Sequence, residues 1–290
     1  MKLHIFESTP TGFLDSTSNE LHRVLPGPSL IRFEGEKKSP LVLATLLHGN
    51  EPTGIQAIQN LVRRYHQDNT PLPRTLYIFV GNIEAAKNNV RRLPNQIDYN
   101  RIWNGGELPE HRLANQVVDF LKGVKPFACV DIHNTSGKNP HYACINHVEA
   151  PLINLGHQFS NTLVYFTRPA EVLSIALAKI CPSITIESGQ PQDPHGVPHV
   201  MDFIETLPAE TEQEEEKKEV AEPKAETPAK EAKPKAAAPK ADAKAKPAAK
   251  KAAPKKAAAP KAEAKKETAK AKPEAKKAAP KKAADKKEDK

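Results

Sequence analysis

Short apolar runs alternate along the chain with stretches whose apolar residues recur at helical spacing. Runs at 3–6, 29–33, 41–47, 75–80, 127–132, 163–166 and 183–186 read as strands. Between them, 53–65 puts Ile55, Ile58, Leu61 and Val62 on one helical face. Further helical patterns fall at 84–90, 113–121, 151–160, 172–179 and 197–207. The strand runs are nearly continuous in apolar residues, as in Leu41-Val42-Leu43-Ala44-Thr45-Leu46-Leu47. That predicts strands covered on both faces, which is the habit of parallel sheets. The pattern as a whole predicts an α/β fold: a mostly parallel sheet flanked by helices.

The pattern stops near residue 208. From Ala209 onward there is no aromatic residue, no Leu, no Ile and a single Val220. So little apolar mass does not offset the entropy of ordering a chain, so 209–290 is expected to be a disordered low-complexity tail of Lys, Ala, Pro and Glu. Residues 1–208 are long enough to bury one core and are expected to form a single folded domain. The charge divides at the same place. Residues 1–208 carry 18 basic and 19 acidic side chains, whereas 209–290 carry 25 Lys, no Arg and 16 acids. The basic balance of the whole chain therefore belongs to the tail. Within it, 209–231 has nine Glu against four Lys, and 232–290 has 21 Lys against seven acids.

Cys129, Cys144 and Cys181 lie in apolar stretches, with no metal-finger spacing and an odd number. Three reduced, buried thiols are expected. The first residues lack the pattern of a signal peptide, and no apolar run reaches the length of a membrane span. A cytoplasmic protein is expected.

The chemistry gathers at strand ends. In LLHGNEPTG, His48 and Glu51 sit three residues apart just past the run ending at Leu47. In VDIHNTSG, His133 also ends an apolar run, 82 residues beyond Glu51. An imidazole pair and a carboxylate form an established ligand set for catalytic zinc, which keeps a fourth position open for water. Zinc polarises a carbonyl and acidifies water, and a separate carboxylate is still needed to carry the proton to the leaving nitrogen. Glu187, ending SITIESG, has that chemistry. In parallel α/β sheets ligands bind beyond the carboxyl ends of strands, where all of these residues lie.

Four segments in order, HGNEPTG at 48–54, DYNRIW at 98–103, VDIHNTSG at 130–137 and ITIESGQ at 184–190, resemble the succinylglutamate desuccinylase/aspartoacylase family of the zinc carboxypeptidase superfamily. With their intervals they cover roughly residues 40–207. The resemblance implies a zinc-carboxypeptidase-like mixed sheet and one zinc ion held by His48, Glu51 and His133, with Glu187 as general base. It implies that Asn100 and Arg101 bind a substrate carboxylate, for which the planar fork of Arg is suited. It also implies an upstream arginine that polarises the scissile carbonyl. Arg91 and Arg92 are the candidates and Arg92 is preferred, while Asn134 is expected to line the substrate site. The family usually carries a further β-rich domain after the catalytic one. Here the Lys/Ala/Pro tail follows, so a more open pocket is expected.

The implied reaction is zinc-dependent hydrolysis of a C–N amide bond in a small carboxylate-bearing substrate, such as N-acetylaspartate or N-succinylglutamate. An alternative is a carboxypeptidase or amidase acting on peptide or peptidoglycan-like fragments. A reading of another class rests on the tail, which resembles those of linker histones and bacterial histone-like proteins. Its lysines would bind a polyanion such as nucleic acid by counterion release, without base recognition. Asp131, two residues before His133, either orients that histidine or serves as a buried structural group. His195 and His199 in DPHGVPHV read as a loop leading into a helix.

Overall fold

The computed structural model describes residues 1–207. The expected tail at 209–290 and its polyanion contact lie outside the described residues. These residues form an eight-stranded mixed sheet flanked by helices on both faces. In chain order the strands are β1 (His4–Phe6), β2 (Ser29–Phe33), β3 (Gly35–Thr45), β4 (Leu72–Val80), β5 (Ala128–His133), β6 (Tyr142–Ile145), β7 (Leu163–Tyr165) and β8 (Ser183–Glu187). The helices are α1 (Thr53–Gln67), α2 (Ile83–Lys87), α3 (Pro109–Val124), α4 (Ala150–Phe159), α5 (Leu173–Leu177) and α6 (Gly196–Thr206). Across the sheet the order is β1-β2-β4-β3-β5-β8-β6-β7. All neighbours are parallel except β2 with β4 and β6 with β8.

The central strands are those whose sequences are apolar throughout. β5 is buried at every position, and β3 from Pro40 to Thr45. Two cores result, one on each face. Ile55, Ile58, Leu61 and Val62 of α1 join Leu152 of α4 and Phe203 of α6 in one. Leu113, Val117 and Leu121 of α3 join Leu173 and Leu177 of α5 in the other. The crossover from β3 to β4 through α1 thus covers one face, and the path from β4 to β5 through α3 covers the opposite face. Where these crossovers part, at the carboxyl ends of β3 and β5, the sheet has its switch point, the usual place for a ligand crevice in such folds.

Two strands depart from the sequence pattern. β6 was not expected at all: it is four residues long and bounded by Pro140 and Asn146. β3 begins at Gly35, six residues before its apolar run, because the polar stretch after Gly35 pairs with the start of β4, where the Thr75 hydroxyl oxygen accepts from Gly35 N–H at 3.2 Å and Arg74 Nη1 donates to the Ser39 carbonyl at 2.5 Å. Cys129, Cys144 and Cys181 are free and buried. Among the described residues no helix is long and apolar enough to cross a membrane. His195 precedes the first turn of α6, and His199 within it is close to the Phe159 carbonyl oxygen, 2.7 Å away.

Candidate metal and substrate site

The site is built on the carboxyl ends of β3, β5 and β8, which are adjacent. β3 ends at Thr45, and the chain then turns sharply. Leu46 adopts a left-handed backbone with φ 54° and is fully buried. That conformation costs a residue with a Cβ roughly 1–2 kcal/mol. The turn is held by the Asn82 N–H, which donates to the Leu46 carbonyl at 2.6 Å. Gly49 follows, so close to α2 that a Cβ there would lie 2.1 Å from Ala85 C and Ala86 N. Only glycine lets this turn press against α2 and bring His48 and Glu51 back over the strand ends.

His48, Glu51 and His133 converge, with one ligand atom of each within 4.8 Å of the others. All three are buried. His48 Nδ1 is 2.8 Å from Glu51 Oε1, and His133 Nδ1 is 2.7 Å from Glu51 Oε2. The two Nδ1 atoms are 3.1 Å apart. Each ring turns its other nitrogen to a second carboxylate: His48 Nε2 to Asp98 Oδ1 at 3.1 Å, His133 Nε2 to Asp131 Oδ2 at 2.9 Å. A carboxylate only accepts, so each Nε2 carries the proton. In neutral rings both Nδ1 atoms are then lone pairs, and they face each other and two carboxylate oxygens. Four acceptors so close together are satisfied by positive charge among them, either a proton on a ring or a metal ion. The donor set therefore fits a divalent metal such as zinc, with the Nε2–carboxylate bonds fixing the tautomers.

The electrostatics agree. Burial works to raise the Glu51 carboxyl, but positive charge on His133 above all, with His48 beside it, outweighs it and holds Glu51 at about 2. Burial works to lower His133, yet Asp131 and Glu51 raise it well above the usual imidazole range. Burial would raise Asp98 too, but His48 above all, with Asn100 and Arg91, lowers it. The cluster is an anionic trap that draws positive charge to its centre.

A cleft of about 280 Å³ opens over this cluster, lined by His48, Glu51, His133, Glu187, Arg91 and Arg101 among others. Glu187 ends β8 directly beside His133 in the parallel register. Its Oε2 is buried and accepts no hydrogen bond from the described residues. Burial, its largest influence, raises its carboxyl.

The two candidate arginines are separated by their placement. Arg91 lies at the cluster: its Nε and Nη2 donate to Asp98 Oδ2 at 3.1 and 2.8 Å, and its Nη1 is 3.7 Å from Glu51 Oε1. Arg92, preferred from the sequence, is turned away. Its Nη1 donates to the Gln96 carbonyl at 2.6 Å, and it does not line the cleft. The Arg91 carbonyl accepts from Gly49 N–H at 3.2 Å, which ties this bend to the turn that carries His48. Two adjacent arginines outside any periodic element gave no sequence signal for that choice.

Asn100 and Arg101 both line the cleft. Asn100 Oδ1 accepts from Leu173 N–H at 3.1 Å, and its amide nitrogen is 3.3 Å from His133 Nε2. Arg101 donates one hydrogen bond, from Nη1 to the Asn100 carbonyl at 2.6 Å. Asn134 also borders the cleft, but its side chain is committed to the protein. It accepts from Thr53 N–H at the start of α1 (3.2 Å) and donates to the Gly189 carbonyl (2.9 Å) and Thr53 Oγ1 (2.8 Å). It braces the walls rather than offering a free amide. The sequence reading missed Asp98 altogether, because its contact with His48 spans 50 residues and no spacing rule announces it.

Residues 38–173 match the family model for the succinylglutamate desuccinylase/aspartoacylase catalytic domain. No curated protein matches the chain. Among solved structures, it is similar to the succinylglutamate desuccinylase from Chromobacterium violaceum, with 18% identity, a TM-score of 0.51, and coverage of 60% of this chain and 64% of that one. The succinylglutamate desuccinylase from Vibrio cholerae gives 15% identity and a TM-score of 0.51 over 60% and 57% of the two chains. A metallo-carboxypeptidase from Pseudomonas aeruginosa, in complex with (2-guanidinoethylmercapto)succinic acid, gives 16% identity and a TM-score of 0.50 over 63% and 60%. The chain thus spans about three fifths of the length of these structures, and at such identities the likeness is one of fold. Residues 38–173, a little under half of the chain, are thus similar to the catalytic domain of the succinylglutamate desuccinylase/aspartoacylase family, and the fold is the one these structures share.

Proposed function

We propose that this chain is a zinc-dependent hydrolase that cleaves the amide bond of a small carboxylate-bearing substrate, an N-acyl amino acid. One observation carries the reading: a half-buried carboxylate with a buried, uncommitted oxygen, Glu187, shares a cleft with a His–Glu–His cluster arranged for a metal ion. His48 and His133 through Nδ1, with Glu51 through its carboxylate, would hold one zinc per chain. Zinc supplies Lewis acidity there, polarising the acyl carbonyl and lowering the pKa of water. Glu187 takes the proton from the attacking water and delivers it to the departing amine, a transfer its raised pKa favours. Arg91, fixed by Asp98, faces the negative charge that develops on the acyl oxygen. Arg101, with N–H groups that make no other hydrogen bond among the described residues, binds the substrate carboxylate in a two-pronged contact. Asn100 and Asn134 hold the turns that aim these groups.

The size of the cleft favours a small substrate over a long peptide, since about 280 Å³ is at the low end for ligand sites. Initial rates of the zinc-loaded full chain on N-acyl amino acids and on dipeptides test the choice. Faster hydrolysis of N-acyl amino acids is expected. Turnover confined to dipeptides would replace the proposed substrate with a peptide.

A further inference from the structure

The wall of the cleft beyond Glu187 bears on the substrate in a way the metal cluster does not. Thr185 precedes Glu187 by two residues on β8, so the two share a face of the sheet. Cys144 of β6 lies opposite Thr185 in the antiparallel register, which places it on that face as well. Thr185 Oγ1 donates to Ser174 Oγ of α5 at 3.0 Å, so the patch is the one covered by the start of α5. Val172, the residue before α5, and Phe166 and Pro169 of the preceding loop complete this side of the cleft. The hydrogen bond from Leu173 N–H to Asn100 Oδ1 ties the turn bearing Arg101 to that same start of α5. Arg101 and the wall are therefore neighbours.

Every group on the wall is uncharged. Burial first, then the charge of Glu187, pushes the Cys144 thiol up to about 12, so it stays protonated. The Thr185 hydroxyl hydrogen is committed to Ser174. Two arginines line the cleft, and Arg91 is bound to Asp98 through two N–H groups. Arg101 is left to receive one carboxylate. A second substrate carboxylate against Cys144 and Thr185 would lie beside Glu187, stripped of water and without a cation, an arrangement that strongly disfavours the charged form.

We propose that the substrate carries a single carboxylate, seated on Arg101, and that the amino-acid side chain next to it is apolar, received by Cys144, Val172 and Thr185 with Phe166 and Pro169 at the mouth. Aspartate and glutamate derivatives, which the family resemblance suggests, are then poor ligands. The proposal rests on the hydrolase reading for the scissile bond, and on the wall itself for the preference.

Calorimetric binding separates the two. The probes are N-acetyl-leucine and N-acetylaspartate, titrated into the zinc-loaded full chain carrying Glu187→Gln so that neither turns over. The leucine derivative is expected to bind about tenfold tighter or better. Adding Phe166→Arg at the half-buried mouth is expected to strengthen N-acetylaspartate binding and narrow the gap, and Cys144→Arg to do so from deeper in the wall. Phe166→Arg keeps the test usable where the buried change prevents folding. Equal or tighter binding of N-acetylaspartate by Glu187→Gln overturns the proposal, as does no binding of either compound or a preference that Phe166→Arg leaves unmoved. A leucine preference in binding, with no hydrolysis of either compound by the wild-type chain, upholds this proposal and overturns the hydrolase reading.

Discussion

Glu187→Gln is expected to lower kcat by about 10²–10⁴-fold while the protein keeps its zinc. The substitution preserves shape and removes only the ability to accept a proton. Glu187 Oε2 is buried and holds no hydrogen bond among the described residues, so no structural contact is lost with the charge. Burial already disfavours the ionised form, so a neutral amide relieves an unfavourable interaction rather than creating one. The melting temperature should therefore stay the same or rise slightly. Turnover, zinc content and thermal melting in one preparation check all three parts. Unchanged turnover removes Glu187 from the mechanism, and loss of zinc makes it a ligand instead of a base.

His133→Ala has the second largest expected effect, and it reaches stability as well as chemistry. It removes one of three ligands, so zinc binding at micromolar metal should be lost. It also strands Asp131, which is fully buried and whose Oδ2 is paired with His133 Nε2 at 2.9 Å. Asp131 Oδ1 has no partner of its own among the described residues. Removing one member of a buried charged pair costs about 3–5 kcal/mol. The loss should persist when wild type and variant are compared without metal, and adding Asp131→Asn to His133→Ala should recover part of it. Denaturant melts of the stripped proteins measure this. Equal stability of stripped wild type and His133→Ala would mean that the Asp131 pair contributes nothing to the fold.

The readable parts of this molecule were those where local pattern and tertiary position coincide. His48, His133 and Glu187 each follow an apolar strand, and strands of that kind lie at the centre of the sheet with their carboxyl ends together. The convergence of His48, Glu51 and His133 was therefore legible from the spacing of runs. The helical faces of α1 and α3 were legible for the same reason, since their apolar periodicity is their packing surface. β6 was not, because four residues offer no period to detect. That Arg91 and not Arg92 lines the cleft, and that Asp98 meets His48, follow from contacts between segments far apart along the chain. The commitment of Asn134 to Thr53 and Gly189 likewise follows from contacts made only once the sheet is assembled.

The central claim is that the His48–Glu51–His133 cluster holds a zinc ion on which hydrolysis depends. Stripping metal from the full chain with a chelator, then titrating zinc back while recording bound metal and N-acyl amino acid hydrolysis together, tests it most directly. Activity should vanish with the metal and return in proportion to occupancy, saturating at about one zinc per chain. Hydrolysis that persists in the stripped protein, or that fails to follow zinc occupancy, would contradict the account.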